Sequence, residues 1–251
     1  MTTPSTPASR DAERRQEKKG SAGRELLLIV GVALVLSILV RTFVAQAFYV
    51  PSSSMENTLQ VQDRIIASKL TTQFGGVHRG EIVVFTDPGG WLSPTAPETG
   101  IKGVLKNAFM FVGLLPSDTG EDLVKRVIGV GGDHIVCCDA KQRITVNGVA
   151  LDESSYIKPD NGTAQVRFDI TVPKGRVFVM GDNRADSADS RFHLDVEQGT
   201  VPLDHVVGRV AAVIWPMSSW SGEPVPSIFE NPLLDQPEKT PAASASASAK
   251  G

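Results

Sequence analysis

The distribution of apolar and polar positions divides the chain into four parts. Residues 1–25 are polar and rich in Ser, Thr and charge, and an uncharged apolar run follows at 26–40. From about residue 48 to 229, short apolar runs alternate with turns that contain Gly and Pro, and the C-terminal stretch is low-complexity Ala and Ser. The pattern predicts a disordered tail over 1–25, an apolar helix over 26–47, one folded domain over 48–230 and a second disordered tail over 231–251.

The apolar runs of the folded domain have the length of strands. Those at 81–85 and 123–130 are continuous and are followed by turn residues, which indicates buried strands. Asn147-Gly148 between two short runs favours a type I′ hairpin. Further strands are predicted at 165–172, 176–180 and 206–214. With little helical periodicity, apart from a short helix near 104–112 in a loop-rich insertion at 88–122, the domain is predicted to be mainly antiparallel β.

The apolar run lies directly after a cluster of basic residues. Under the positive-inside rule, this cluster predicts a cytoplasmic N-terminus and an extracytoplasmic domain; its members are Arg10, Arg14, Arg15, Lys18, Lys19 and Arg24. Residues 26–40 give only about 22 Å of helix, so a transmembrane anchor must continue towards residue 47, with Arg41 at the outer interface. Ala45-Gln46-Ala47 has the small-x-small form of a cleavage site, so a cleavable signal peptide is the alternative.

Composition excludes some classes of protein. A net charge of −3 with no basic stripe argues against nucleic acid as a partner. The four histidines are scattered and form no metal-ligand pattern. We therefore expect neither a metal nor a cofactor.

The candidate chemistry begins at Ser54, in the stretch Pro51-Ser-Ser-Ser-Met55 just beyond the apolar run. A serine needs a base to become a good nucleophile. Lys125 lies in the aliphatic run 123–128, and a lysine buried there can lose its charge and act as that base. These two positions predict a Ser/Lys peptidase tethered to a membrane.

A third segment, residues 181–191, combines turn formers with three carboxylates, two serines and two arginines. The spacing of Asp182, Asp186 and Asp189 does not fit a calcium-binding loop. Bracing of a rigid turn by Asp–Arg pairs explains the composition better.

Four segments, in order, resemble the sequence boxes of bacterial type I signal peptidases. They are Pro51-Ser-Ser-Ser-Met55 with Thr58-Leu59, then residues 80–85, then 125–129 with Gly132-Asp133, and then 181–191. The resemblance extends from the apolar run to about Trp215. It implies a plasma-membrane serine endopeptidase with a β-rich insertion at about 134–178, which removes signal peptides from exported preproteins after small-x-small sites. The secretion translocon is a further candidate partner.

The resemblance also implies roles for individual residues. Ser54 is the nucleophile and neutral Lys125 is the general base. Ser187 orients the lysine, and the Ser52 hydroxyl joins the Ser54 backbone N–H in an oxyanion hole. The residues implied to brace the loop of Ser187 are Asp182, Arg184, Asp189 and Arg191, and those implied to line the substrate pockets are Phe48, Val50, Leu59 and Val124.

Three positions depart from the family pattern. Ser53 stands where Gly is common, Asn57 where Pro is common, and Asp186 where Asn is usual. They bear on the local loop conformation and on the charge near Lys125.

Two other classes of protein remain as alternatives. A self-cleaving repressor would need a DNA-binding domain ahead of the dyad, where this chain has a basic tail and an apolar run. A non-catalytic, membrane-anchored β-domain would make Ser54 dispensable.

The chain has two cysteines, Cys137 and Cys138. Neighbouring Cα atoms lie about 3.8 Å apart across a trans peptide bond, below the usual range for disulfides. We therefore expect two free thiols on a strand, with a strained vicinal disulfide as the alternative.

Overall fold

The computed structural model describes residues 8–92, 103, 108–110, 115, 120–159 and 166–236. Most of the insertion predicted at 88–122, including most of its short helix, lies outside these residues. So do the residues from 237 onward. Residues 231–236 of the predicted disordered tail are structured: Pro232–Asp235 form a 3₁₀ turn, and Leu234 is buried in the core.

Helix α1 spans Ala8–Leu39 and continues as a π-helical turn, Val40–Val44. The stretch Gly23–Val44 is long and apolar enough to cross a membrane, and it is not buried in the protein. Its 22 residues correspond to about 33 Å of helix, slightly more than a hydrocarbon core of about 30 Å. The candidate span therefore lies three residues earlier than the predicted 26–47.

The two ends of α1 correct the sequence prediction. Residues 8–25, predicted as disordered, are helical; this stretch is rich in Ala, Arg, Glu and Lys, which propagate a helix readily once the apolar segment has nucleated it. At the other end, Ala45 is extended, with φ −155° and ψ 148°. Residues 45–47 therefore begin a strand and are not part of the anchor helix.

The larger of two sheets has eight strands and is antiparallel. Its main path is β1-β2-β11-β3-β4-β9-β10, and β12 pairs with β11. Its strands are β1 Ala45–Tyr49, β2 Arg64–Ser68, β3 Ile82–Thr86, β4 Asp122–Val130, β9 Arg176–Met180, β10 Val201–Pro202, β11 Val206–Trp215 and β12 Ser221–Gly222. A short helix, α2 (Lys69–Gly75), follows β2, and the Ser68 hydroxyl accepts a hydrogen bond from the Thr71 backbone N–H at its N-terminus.

The smaller sheet has four strands in the order β7-β6-β5-β8. They are β5 His134–Cys137, β6 Ile144–Val146, β7 Val149–Ala150 and β8 Phe168–Thr171. The hairpin of β6 and β7 turns at Asn147 and Gly148, with φ values of 51° and 78°, as a type I′ turn requires. This sheet spans residues 134–171, inside the β-rich insertion predicted at about 134–178, and the last residues of that range belong to β9 of the larger sheet.

Each strand segment predicted from the sequence overlaps an observed strand, and the fold is mainly antiparallel β, as expected. Strand β4 lies between β3 and β9 in the larger sheet. Its residues Val124, Val127 and Ile128 each belong to a different buried apolar cluster. Polar side chains carried by β4 are therefore surrounded by packed core.

The prediction of two free thiols is wrong: Cys137 and Cys138 form a vicinal disulfide. The prediction assumed a trans peptide bond between the two cysteines, and this bond is cis in the structure. Cys137 is buried at the end of β5, in the core of the smaller sheet.

Candidate active site

Ser54 lies in the connection between β1 and β2, in a 3₁₀ turn at Ser53–Met55. Backbone hydrogen bonds close this connection, from Val50 N to Asp63 O and from Gln62 N to Val50 O, both 2.9 Å. Met55 is buried in the core below the turn, so the turn is anchored while its serines face the neighbouring loop.

Lys125 projects from β4 directly onto this turn. Its Nζ donates a hydrogen bond of 2.5 Å to Ser54 Oγ, and only 2% of the residue is exposed. Burial lowers the pKa of Lys125 to about 8, while the charges of Asp189, Asp182 and Asp186 oppose the shift and that of Arg191 adds to it. The two residues singled out from the sequence, 71 positions apart, thus form a buried pair.

Residues 181–191 form a loop after β9 that is braced by ion pairs. Arg191 binds Asp189 through two side-chain hydrogen bonds of 2.8 Å and donates a third, also 2.8 Å, to Arg184 O. Burial alone would raise the pKa of Asp189, but Arg191 and the Gly181 backbone N–H lower it overall. Both partners are almost completely buried, so the loop has a fixed shape.

Two further ion pairs tie this loop to the rest of the domain. Arg184 binds Glu153 with hydrogen bonds of 2.8 and 2.6 Å. Asp182 accepts from Arg126 Nε and Nη2 at 2.9 and 2.7 Å, and from Thr58 Oγ1 at 2.5 Å. The four residues predicted to brace the loop therefore all take part in buried ion pairs.

The braced loop holds the turn of Ser54 directly. The Asn183 backbone N–H donates to Ser54 O at 3.0 Å, and Asn183 Nδ2 donates to Ser53 O at 2.9 Å. The Ser53 hydroxyl donates to Asp186 Oδ2. The nucleophile segment and the loop are thus fixed as one unit.

The two serines predicted to assist are both close to Ser54. Ser52 Oγ lies 3.2 Å from Ser54 Oγ. Ser187 is buried, and both its Oγ and the backbone O of Ser54 lie against Gly181, where a Cβ would clash with them. The hydrogen bond from Ser187 to Lys125 that the resemblance implies is not formed among the described residues; Ser187 instead lies close enough to the Asp189 carboxyl to help lower its pKa.

A cavity of about 120 Å³ opens beside Ser54. Val50 and Val124, two of the predicted pocket residues, line it together with Ser52 and Ser54. The other two, Phe48 and Leu59, are not among the lining residues and are buried in the core below. Residues that line the cavity but were not predicted are Tyr49, Pro51, Met55, Leu92, Gly120, Asp122 and Leu123.

Sequence reasoning missed Glu153, Arg126 and Thr58, which complete the ion-pair network. Arg126 follows Lys125 in β4 and binds Asp182 through two hydrogen bonds. The detectable signal was its position inside an apolar run, because an arginine there must find a buried anion. Among the described residues, no cluster of His, Cys, Asp and Glu could hold a metal ion.

Comparison with known proteins places the chain in a family. The family model described as "Signal peptidase, peptidase S26" matches residues 23–215. The chain belongs to this family. A signal peptidase I of Mycobacterium tuberculosis is 38% identical over 237 residues, with 85% of this chain and 79% of the relative covered. A signal peptidase I of Leptolyngbya laminosa is 34% identical over 218 residues, with 86% and 91% covered.

The family assignment confirms the resemblance read from the sequence and decides between the alternatives. The protein is a serine peptidase, and therefore neither a non-catalytic scaffold nor a repressor. A crystal structure of a signal peptidase I from Enterococcus faecalis matches 53% of this chain and 95% of its own, at 24% identity and a TM-score of 0.33. At that TM-score the structural match adds nothing to the assignment.

Proposed function

We propose that this protein removes N-terminal signal peptides from exported preproteins, with Ser54 as nucleophile and neutral Lys125 as general base. The observation that carries the proposal is the 2.5 Å hydrogen bond between a fully buried lysine and a serine that faces a cavity. Family membership supports the substrate class, since the relatives are named signal peptidases.

The reaction begins with transfer of the Ser54 proton to Lys125 as Ser54 Oγ attacks the scissile carbonyl carbon. The resulting oxyanion is stabilised by the Ser54 backbone N–H and the Ser52 hydroxyl, which is 3.2 Å from Ser54 Oγ. Protonated Lys125 then gives its proton to the leaving amine, and the peptide bond breaks. Water, deprotonated by Lys125, releases the signal peptide from Ser54.

Lys125 must be neutral to accept the proton, and its surroundings favour that state. Lowering its pKa from 10.5 to about 8 corresponds to about 3 kcal/mol of destabilisation of the charged form. At pH 7 about a tenth of the molecules then carry a neutral lysine, against fewer than about one in a thousand for a lysine in water. Ser187, whose buried hydroxyl and the backbone O of Ser54 both lie against Gly181, is proposed to orient the lysine.

The cavity beside Ser54 suits a small side chain. Its volume of about 120 Å³ and the aliphatic walls at Val50 and Val124 match a substrate with a small residue next to the scissile bond. Phe48 and Leu59 shape the pocket from below rather than by contact, since both are core residues of the same cluster. We propose cleavage after small-x-small sequences on this basis.

The apolar stretch Gly23–Val44 serves as an uncleaved anchor in the plasma membrane. The basic cluster ahead of it supports a cytoplasmic N-terminus and an extracytoplasmic peptidase domain. The turn of Ser54 begins only nine residues after Val44. This spacing keeps the active site near the membrane surface, where a translocated preprotein emerges.

The proposal is tested by Ser54→Ala and Lys125→Met, assayed on a preprotein with the full-length enzyme in detergent. Each variant should lose at least about a thousandfold in kcat, because nucleophile and base act as a unit. Methionine fills the space of the lysine without its amine, so thermal unfolding should still show a folded domain.

Ser155→Ala and Lys174→Met are matched controls, because both residues are exposed and neither is among the contacts of the site. Both should cleave at the rate of the unmodified enzyme. Turnover by a folded Ser54→Ala or Lys125→Met variant within about tenfold of that rate would contradict the dyad.

A further inference from the structure

Two positions at which this chain departs from its family pattern contact each other. Ser53 stands where glycine is common and Asp186 where asparagine is usual, and the Ser53 hydroxyl donates a hydrogen bond to Asp186 Oδ2. The two residues are 133 positions apart in the sequence. Each departure is therefore half of one interaction between the turn that carries Ser54 and the loop that carries Ser187.

This hydrogen bond acts on the position of the nucleophile. Ser53 directly precedes Ser54 in the 3₁₀ turn. Among the described residues, the loop also reaches this turn through two hydrogen bonds that Asn183 donates to the backbone carbonyls of Ser53 and Ser54. The two hydrogen bonds from Asn183 hold the backbone carbonyls of Ser53 and Ser54. The hydrogen bond to Asp186 instead holds the side chain of Ser53, on the side of the turn that faces the loop of Ser187. A hydroxyl bound to an ionised carboxylate makes a short, directional contact.

The charge of Asp186 has a second effect. Burial has the largest effect on the pKa of Lys125, and the charges of Asp189, Asp182, Arg191 and Asp186 follow in decreasing order. Asp122, on the same strand, lines the cavity beside Ser54. Asp182 and Asp189 are each neutralised by a buried arginine. Asp186 is exposed, and no cation pairs with it among the described residues. Its negative charge favours protonated Lys125 and, unlike the charges of Asp182 and Asp189, is not neutralised by an ion pair.

We propose that Ser53 and Asp186 are positioning residues of the dyad: their hydrogen bond holds the turn of Ser54, and the exposed charge of Asp186 beside that turn favours the protonated form of Lys125. The proposal rests on the proposed Ser54–Lys125 mechanism. The hydrogen bond and the charge can be tested separately, because one substitution removes the hydrogen bond alone and another removes the charge alone.

Ser53→Ala removes the hydrogen bond and keeps the charge. Measured with the full-length enzyme in detergent, kcat should fall about tenfold, the effect of losing one positioning hydrogen bond. KM should change little, because Ser53 does not line the cavity beside Ser54. The fall of kcat/KM on the acid side, its acid limb, should occur at the same pH as in the unmodified enzyme.

Asp186→Asn removes the charge and keeps an oxygen that accepts from Ser53. Its acid limb should move to lower pH, because the charged form of Lys125 loses a stabilising neighbour. Asp186 is exposed, so salt at about 0.5 M should reduce the difference from the unmodified enzyme. In an Asp186→Ala background, adding Ser53→Ala should have no further effect on kcat.

Asp204→Asn is the matched control, since Asp204 is an exposed carboxylate that is not among the charged groups named for Lys125. It should change neither kcat nor the position of the acid limb. The inference is overturned if Asp186→Asn leaves the acid limb in place, or if Ser53→Ala has full kcat. These outcomes differ from those that would contradict the dyad. If the Ser54→Ala variant is inactive but Asp186→Asn leaves the acid limb in place, only the proposed role of Ser53 and Asp186 is refuted. If the Ser54→Ala variant is active, the Ser54–Lys125 mechanism itself is refuted.

Discussion

At the scale of single residues, Ser54 and Lys125 can react only because the ion pairs and hydrogen bonds around them hold both side chains in place. Ser54 and Lys125 could be identified from their local sequence, a serine run beside an apolar segment and a lysine among aliphatic residues. Glu153 could not, because a lone glutamate in a loop gives no signal that it will meet Arg184, 31 positions later. The partner of a buried charge is set by the fold, while the charge itself is visible in the sequence.

Gly181 gives a prediction at the scale of one atom. A Cβ there would lie closer than 3.0 Å to Ser187 Oγ and to the backbone O of Ser54. Gly181→Ala should therefore displace the nucleophile and lower kcat about a hundredfold, as a shift of about 1 Å in an active site does. Kinetics with the preprotein would measure this.

Gly75→Ala is the control for that substitution, because a Cβ at Gly75 meets nothing within 4 Å. It should have the kcat of the unmodified enzyme. Full activity of Gly181→Ala would show that the close approach of the loop to Ser54 does not matter for catalysis.

At the scale of secondary structure, the apolar pattern predicts the long strands, and Asn147-Gly148 predicts the hairpin of β6 and β7, whereas β1, β2, β10 and β12 were not predicted. Strands β3, β4, β9 and β11 are runs of aliphatic residues and were predicted within a residue or two. Strands β10 and β12 have two residues each, too few for any periodicity. β1 begins Ala-Gln-Ala, which resembles a cleavage site more than a strand.

The pairing of β1 with β2 leads to a prediction about whether the chain is cleaved after Ala47. Ala45, Gln46 and Ala47 pair with Ser68, Ala67 and Ile66 of β2, so this small-x-small sequence must leave the sheet before any peptidase can bind it extended. We expect that the enzyme extracted from membranes retains its residues before Ala47. N-terminal sequencing or intact mass would measure this, and a mature N-terminus at Phe48 would contradict it.

At the scale of the whole molecule, the order of the strands decides what surrounds the dyad. Strand β11 inserts between β2 and β3 although it lies more than 100 residues after both. No local pattern in the sequence encodes that pairing, which depends on packing of distant segments. Its result is that β4, with Lys125, is an interior strand flanked by β3 and β9. Lys125 is buried there, and burial lowers its pKa.

The most direct test of this account is the pH dependence of kcat/KM for the full-length enzyme between about pH 6 and 10. Because the pKa of Lys125 is lowered to about 8 and its neutral form is the base, kcat/KM should be constant above this pH. Below it, kcat/KM should fall about tenfold per pH unit. A kcat/KM that stays flat down to about pH 6 would contradict a neutral lysine as the general base.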